Sequence, residues 1–304
     1  MKKPLPTKTL SVIAANQNPQ TAIVAGELVD IHFPQGHSLS LLASKLLTVL
    51  IHHAGLAVVE DQEHRIRLSE INWAHASIED LGSTIRELQQ TIVEITVVDP
   101  RTGMRRRKSG QFLTDVERDL DAPSGELCFR FSNTVRFVVK YSSHWASISL
   151  RAVLAMEGKY SVPLYQLLSL YVERRQVSET FDLHDLRSRL GVGKDKLERW
   201  KDFRVWALEP AVAEICHLTP FIVTWEEVKR GRSVSAVKFC WAKKDQMALT
   251  ATDRELSKPR TGRKVRREKT VAQIQDERQA LRASIAADLA SLPVLDPLDD
   301  EIIY

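Results

Sequence analysis

Three cysteines in 304 residues, at positions 128, 216 and 240, are too few and too far apart for a disulfide framework or a paired-thiol metal motif. Their scarcity fits a reducing, cytoplasmic setting. Uninterrupted apolar runs of the roughly 18 residues that a membrane span requires are missing as well. The most apolar stretch, Leu39–Val59, is broken by Lys45, His52 and His53 and reads as a core helix. A shorter patch, Leu10–Ala15, follows Pro4 and Pro6 and falls short of a signal-peptide core. No G-x-x-x-x-G-K-[ST] loop is present, because Gly191–Lys194 has neither the spacing nor the hydroxyl, so nucleotide hydrolysis lacks its phosphate cradle. No His-x-His occurs, which argues against a metal-and-tyrosine DNA-nicking centre. His52 and His53 are neighbours on a helix and point apart, with no carboxylate or thiol at ligand spacing. These absences predict no catalytic residue, no metal and no cofactor.

What remains is an ordinary globular composition, 43% apolar and 27% charged, long enough for about two domains. Basic residues exceed acidic ones by 43 to 39, a net charge of +4 that identifies no partner until it is located along the chain. Residues 1–36 carry Pro4, Pro6, Pro19 and Pro34 without helical periodicity and read as a flexible leader. From Leu39, apolar residues at 42, 46, 49 and 50 mark a helix that Gly55 can end. A short helix is expected after Ser69. Ser77 with Asp80 then opens a further helix through Ile85, Leu88 and Ile92. β-Branched residues over Val93–Val98 and a turn at Asp99–Gly103 predict a hairpin, whose second arm begins Arg105, Arg106, Arg107, Lys108.

The same order recurs after Gly158. Pro163 opens a helix with Leu164, Leu167, Leu168 and Tyr171; Asp182 caps a short helix; Gly191 suits its C-terminus. A long helix from about Lys194 to Cys216 follows, with Pro210 expected to bend or interrupt it. A second hairpin has Lys229, Arg230, Gly231 and Arg232 at its turn. Gly231 lies 128 residues after Gly103, which suggests one architectural unit used twice. The expected fold is α+β, two tandem winged-helix domains. Its divisions are a leader (1–36), a first domain (37–157), a second domain for the main DNA contact (158–244) and a charged extension (245–304). Residues 254–269 hold eight cations against two carboxylates, and the chain is acidic from Asp288 onward. An amphipathic helix with Ile274, Leu281, Ile285 and Leu289 is expected between.

A support helix, a tight turn and a second helix bearing cations are the parts needed to enter a major groove. Lys194, Lys196, Arg199, Lys201 and Arg204 supply the cations, interleaved with Leu197, Trp200, Phe203 and Val205. A solvated amphipathic helix, its cations paired with Asp195, Glu198 and Asp202, satisfies the same pattern. The hairpin cations Arg105–Lys108 and Lys229, Arg230 and Arg232 read as wings against phosphates. In the first half Ser83, Thr84, Arg86, Glu87, Gln89 and Gln90 are expected to be exposed, and Arg86, Gln89 and Gln90 suit guanine and adenine edges. A plain polar helix face remains the alternative.

Four segments carry a resemblance: LLSLYVERR (Leu167–Arg175), FDLHDLRSRLGV (Phe181–Val192), DFRVWALEPAVAEI (Asp202–Ile215) and EEVKRGRSVSAVKF (Glu226–Phe239). In order and spacing they resemble the iteron-binding plasmid replication initiators, the Rep_3 family. Trp200 supplies the aromatic before Asp202–Phe203, Trp206 and Ala207 stand at usually small or basic positions, and Cys216 replaces a common asparagine. The resemblance implies two winged-helix domains in a pseudo-two-fold relation, the first serving DNA binding and dimerisation, that bind repeated double-stranded origin sites and promote strand opening. It implies recruitment of host helicase and initiator proteins, a homodimer in equilibrium with monomer that represses the protein's own promoter, a cytoplasmic location and no membrane partner. A winged-helix transcriptional regulator without an initiator role is the competing expectation, and a partitioning or host-interaction protein acting through its charged tail is a third.

Overall fold

The computed structural model describes residues 8–31, 33, 38–71, 78–98, 102–119, 125–172, 176–270, 272, 276 and 279. Residues through Lys258 form one compact unit and 259–304 another.

The chain begins with α1 (Lys8–Ala15), β1 (Thr21–Ala25) and α2 (Gly26–Val29). Here the expectation of a flexible leader over 1–36 is corrected. β1 pairs antiparallel with β7 (Trp145–Ser149), with Thr21 opposite Ser149 and Ala25 opposite Trp145, and Ala22, Val24 and Leu28 are buried. Pro19 lies inside this folded segment, in the turn between α1 and β1. Because β1 is buried on both faces, it shows none of the alternation by which a strand is usually read.

α3 (Leu41–Ala54) starts at Ser40, whose hydroxyl accepts from the Ala43 amide, and stops at Gly55, which takes φ +53°. The helix and the following 3-10 turn (Gly55–Val59) are long and apolar enough to cross a membrane by length and composition. Leu46 and Leu50 are nevertheless wholly inside the protein. Buried Lys45 donates to the carbonyls of Leu154 and Met156, at 3.0 and 2.6 Å. The short helix expected after Ser69 falls largely on 72–77, outside the described residues, as does Ser77.

β2 (His64–Arg67), α4 (Ile78–Gln90), β3 (Val93–Val98), β4 (Arg105–Gly110), β5 (Leu113–Arg118) and β6 (Glu126–Phe131) complete the first half. β2, β6 and β5 form a three-stranded sheet in that order, while β3 and β4 pair only with each other. Phe129 and Phe131 meet edge-on at 5.3 Å beneath the sheet. α5 (Asn133–Tyr141), capped by the Ser132 hydroxyl, supports the β3–β4 hairpin. Thr134 donates to the Ser109 carbonyl, and a Cβ on Gly110 would meet Thr134 at 2.3 Å.

After β7 come α6 (Leu150–Ala155), α7 (Ser161–Val172), β8 (Ser178–Asp182) and α8 (Leu183–Arg189). α9 (Trp200–Phe203) runs through a π turn (Arg204–Leu208) into α10 (Glu209–Leu218), followed by β9 (Phe221–Arg230) and β10 (Ser233–Lys243). The sheet order is β8–β10–β9, the same as β2–β6–β5, so in each half a hairpin returns to pair its second strand with an earlier single strand. α11 (Gln246–Ser257) belongs to the same compact unit, with Lys244 donating to Thr252 at 2.6 Å. The charged extension expected from 245 therefore begins with a packed helix.

Several bonds join the halves. The Gln166 amide donates to the Thr48 hydroxyl at 3.0 Å, and the Ser149 amide donates to the Tyr165 hydroxyl at 3.0 Å. Arg189 of α8 reaches Asp30 at 2.6 Å and is held for it by Asp185 of its own helix, at 2.8 Å.

Candidate nucleic-acid interface

In the second half α8 is the support helix. Asp182 caps it, accepting from the amides of His184 and Asp185. Its C-terminus closes through the Val192 amide on the Arg187 carbonyl and the Gly191 amide on the Ser188 carbonyl. Gly191 sits at φ +66°, the left-handed conformation this closure needs, and a Cβ there would meet Ser38 at 2.0 Å. Glycine is thus required by backbone angle and by space.

The next helix does not begin at Lys194. Residues 191–199 form a turn in which Asp195 and Leu197 adopt positive φ. Arg187 fastens it to α8, donating to the carbonyls of Leu197 and of Glu198, the latter at 2.6 Å, over the Phe203 ring. Burial lowers the affinity of the Arg187 guanidinium for its proton, consistent with a structural role. Lys194, Lys196 and Arg199 are therefore exposed turn cations, and only Lys201 and Arg204 lie on the helix. The single helical face expected for all five is corrected accordingly.

Lys201 is exposed, whereas Arg204 is half-buried and held by Glu209 at 3.4 Å and Glu227 at 3.7 Å. Pro210 does not break the helix. The Glu209 amide reaches back five residues to the Arg204 carbonyl, and the wider π turn absorbs a proline that has no N–H of its own to give. Glu227, on β9, also accepts from the Trp200 indole at 2.9 Å and lies 3.6 Å from Lys229. One carboxylate thereby braces the helix against the wing. Its only sequence signal is a pair of glutamates just ahead of a cationic turn.

The wing itself is the β9–β10 hairpin, with Ser233 opposite Arg230 and Gly231 at φ +65°. Lys229, Arg230 and Arg232 are all exposed at its tip.

In the first half α4 is the topological counterpart of α9–α10. Arg86, Gln90 and Ser83 are exposed along it. Gln89 is not available to a base, because its amide donates to the Thr114 carbonyl at 2.9 Å and ties α4 to β5. Thr84 is buried and donates to Asp80. Glu87 accepts from the Ser40 amide and hydroxyl at 2.5 and 2.6 Å, fixing the start of α3.

The two basic hairpins are not equivalent. By sheet order the counterpart of β9–β10 is β5–β6, and residues 120–124 between its strands lie outside the described residues. β3–β4 is an additional hairpin between α4 and β5. Its cations lie along β4 and alternate between faces. Arg106 and Lys108 stand opposite the buried Val97 and Ile95, while Arg105 and Arg107 stand opposite the exposed Val98 and Thr96. Lys108 lies 4.8 Å from the centre of the Phe137 ring, and Arg107 lies 3.4 Å from Glu94. Residues 99–101 of its turn are outside the described set.

Within 259–304, residues 263–270 are helical. Part of the basic run serves local structure, since Arg266 donates to the carbonyls of Thr261 and Pro259 at 3.0 and 2.9 Å. The amphipathic helix expected over 274–289 lies almost entirely outside the described residues. Among the described residues no group of three histidine, cysteine or acidic side chains is placed to hold a metal ion.

Two family models match the chain: "Initiator Replication protein, WH1" over residues 27–169 and "Initiator Rep protein, WH2" over residues 182–241. Among solved structures, the chain is similar to Pi initiator protein, whose crystal structure was determined in complex with iteron DNA. The TM-score is 0.58 at 17% identity, with 76% of this chain and 100% of that one covered. No curated protein matches.

Proposed function

Because the chain belongs to the initiator Rep protein family and carries its two winged-helix domains in tandem, we propose that it binds repeated double-stranded sites in a replication origin sequence-specifically and begins replication there. α9–α10 enters the major groove, and the β9–β10 wing lies along the phosphates. The observation that carries this reading is the grouping of Lys194, Lys196, Arg199 and Lys201 on one turn-and-helix with Lys229, Arg230 and Arg232 on the adjoining wing, all exposed. Seven cations around one helix fit the counterion release that drives DNA association. Pi initiator protein, similar in fold, is known in complex with iteron DNA.

α4, with Arg86 and Gln90, supplies a second and less cationic contact. The chain acts by binding, without catalysis or cofactor. It opens the origin, recruits host helicase and initiator proteins, and represses its own promoter as a homodimer in equilibrium with monomer. Such an equilibrium makes the active species depend on concentration by mass action. Footprinting the full chain on repeats beside its gene, together with replication of a plasmid holding only that gene and those repeats, tests the proposal. Protected repeats and a maintained plasmid support it. Protection without replication replaces it with a transcriptional regulator.

A further inference from the structure

One residue on the exposed side of the α9–α10 helix is not accounted for by charge. Trp206 is 70% exposed, whereas Tyr141, the next most open described aromatic, is at 39%. Among the described residues no hydrogen bond or ring contact occupies its indole. The cause of its exposure is local. A regular α-helix advances about 100° per residue, so apolar neighbours are normally shared between the core and the surface. The π turn widens this helix between buried Phe203 and buried Ala207 and Leu208, and both Val205 and Trp206 emerge toward solvent. Folding gains little from an indole placed there.

The surroundings specify what can cover it. Lys201 lies one turn before it, Arg204 and Glu209 neutralise one another beside it, and Glu227, which meets Arg204 and Trp200 of the same helix, also meets the wing cation Lys229. A ligand meeting this face is polyanionic yet offers an apolar point. In a DNA major groove only thymine does so, through its 5-methyl group.

We infer that Trp206, with Val205 beside it, is a base-reading residue whose indole packs on a thymine methyl, making thymine at a fixed position of each bound repeat a determinant of specificity. The inference rests on the assignment of α9–α10 to the major groove.

The test uses the full chain and a duplex it enriches from a random-sequence pool. Each thymine is replaced singly by deoxyuridine, which removes the methyl alone. One or two positions should lose roughly fourfold in affinity, the worth of one buried methyl. In Trp206→Ala those replacements should cost nothing, and the dependence of affinity on salt should match wild type because no phosphate contact is lost. Trp206→Phe should restore part of the discrimination. An unchanged melting temperature in Trp206→Ala separates lost contact from lost fold. Equal discrimination of thymine from deoxyuridine by wild type and Trp206→Ala overturns the inference while leaving the proposed function standing. Failure to enrich any sequence overturns both.

Discussion

Arg230 and Arg232 flank Gly231 at the wing tip, exposed and without a carboxylate partner among the described residues. Lys229, one residue earlier, lies 3.6 Å from Glu227. Replacing both arginines with alanine should therefore remove two full phosphate contacts, whereas Lys229→Ala removes a cation already partly neutralised. At about 0.9 per contact, the slope of log affinity against log salt should become shallower by about 1.8 in the double variant. Contacts acting through counterion release alone then predict binding weaker by roughly 60-fold at 0.1 M monovalent salt and roughly 20-fold at 0.2 M. Anisotropy titrations of a labelled origin repeat and of a scrambled duplex, at four salt concentrations, measure both quantities. The losses should be equal on the two duplexes, because phosphates carry no sequence. An unchanged slope, or a loss confined to the repeat, refutes the assignment of the tip to the backbone.

Lys201→Ala should weaken the origin repeat by a further roughly tenfold beyond its effect on random DNA, as expected for loss of a base-edge contact; equal losses on both would make Lys201 a phosphate contact. Gly191→Ala should cost about 2–5 kcal/mol, from a left-handed alanine and the collision with Ser38, and a melting temperature within a degree of wild type would contradict the turn described here. Lys244 is held at about 8 instead of 10.5 by burial, so below pH 8 the folded chain carries a charged lysine at full desolvation cost. Between pH 8 and 10.5 the unfolded chain retains a proton the folded chain has released, and stability rises with pH. Lys244→Met should thus stabilise by about 1–2 kcal/mol at pH 7, with the gain fading toward pH 10.5; a gain constant across that range in denaturant titrations would show that the lysine charge is not its source.

The elements legible in the sequence were those whose cause is local. Gly191 ends α8 because its backbone angle demands glycine, and Asp182 starts that helix through its own side chain. Pro210 was expected to bend or interrupt its helix, but the effect depended on whether the helix could widen, and the π turn over Arg204–Leu208 does so without a break. The turn holding Lys194, Lys196 and Arg199 could not be told from helix by periodicity, because the bonds that fix it come from Arg187. Gln89 looked free to meet a base only until β5 supplied the Thr114 carbonyl. Equivalence of the basic hairpins failed for a similar reason: strand order is a long-range property, and β3–β4 interrupts a plan that only the sheet order reveals.

The bonds between the halves have a mechanical consequence. Gln166 on Thr48, the Ser149 amide on the Tyr165 hydroxyl, Arg189 on Asp30 and the close approach of Gly191 to Ser38 leave α4 and α9–α10 mounted on a common frame. A frame of this kind behaves as a ruler. A duplex that engages both helices must bring two stretches of groove to a set separation and phase, and where its natural helical repeat does not comply, the bending or twisting falls on the nucleic acid. Adding or deleting a few base pairs between the two contacted stretches should then be tolerated far less well than changing their sequence.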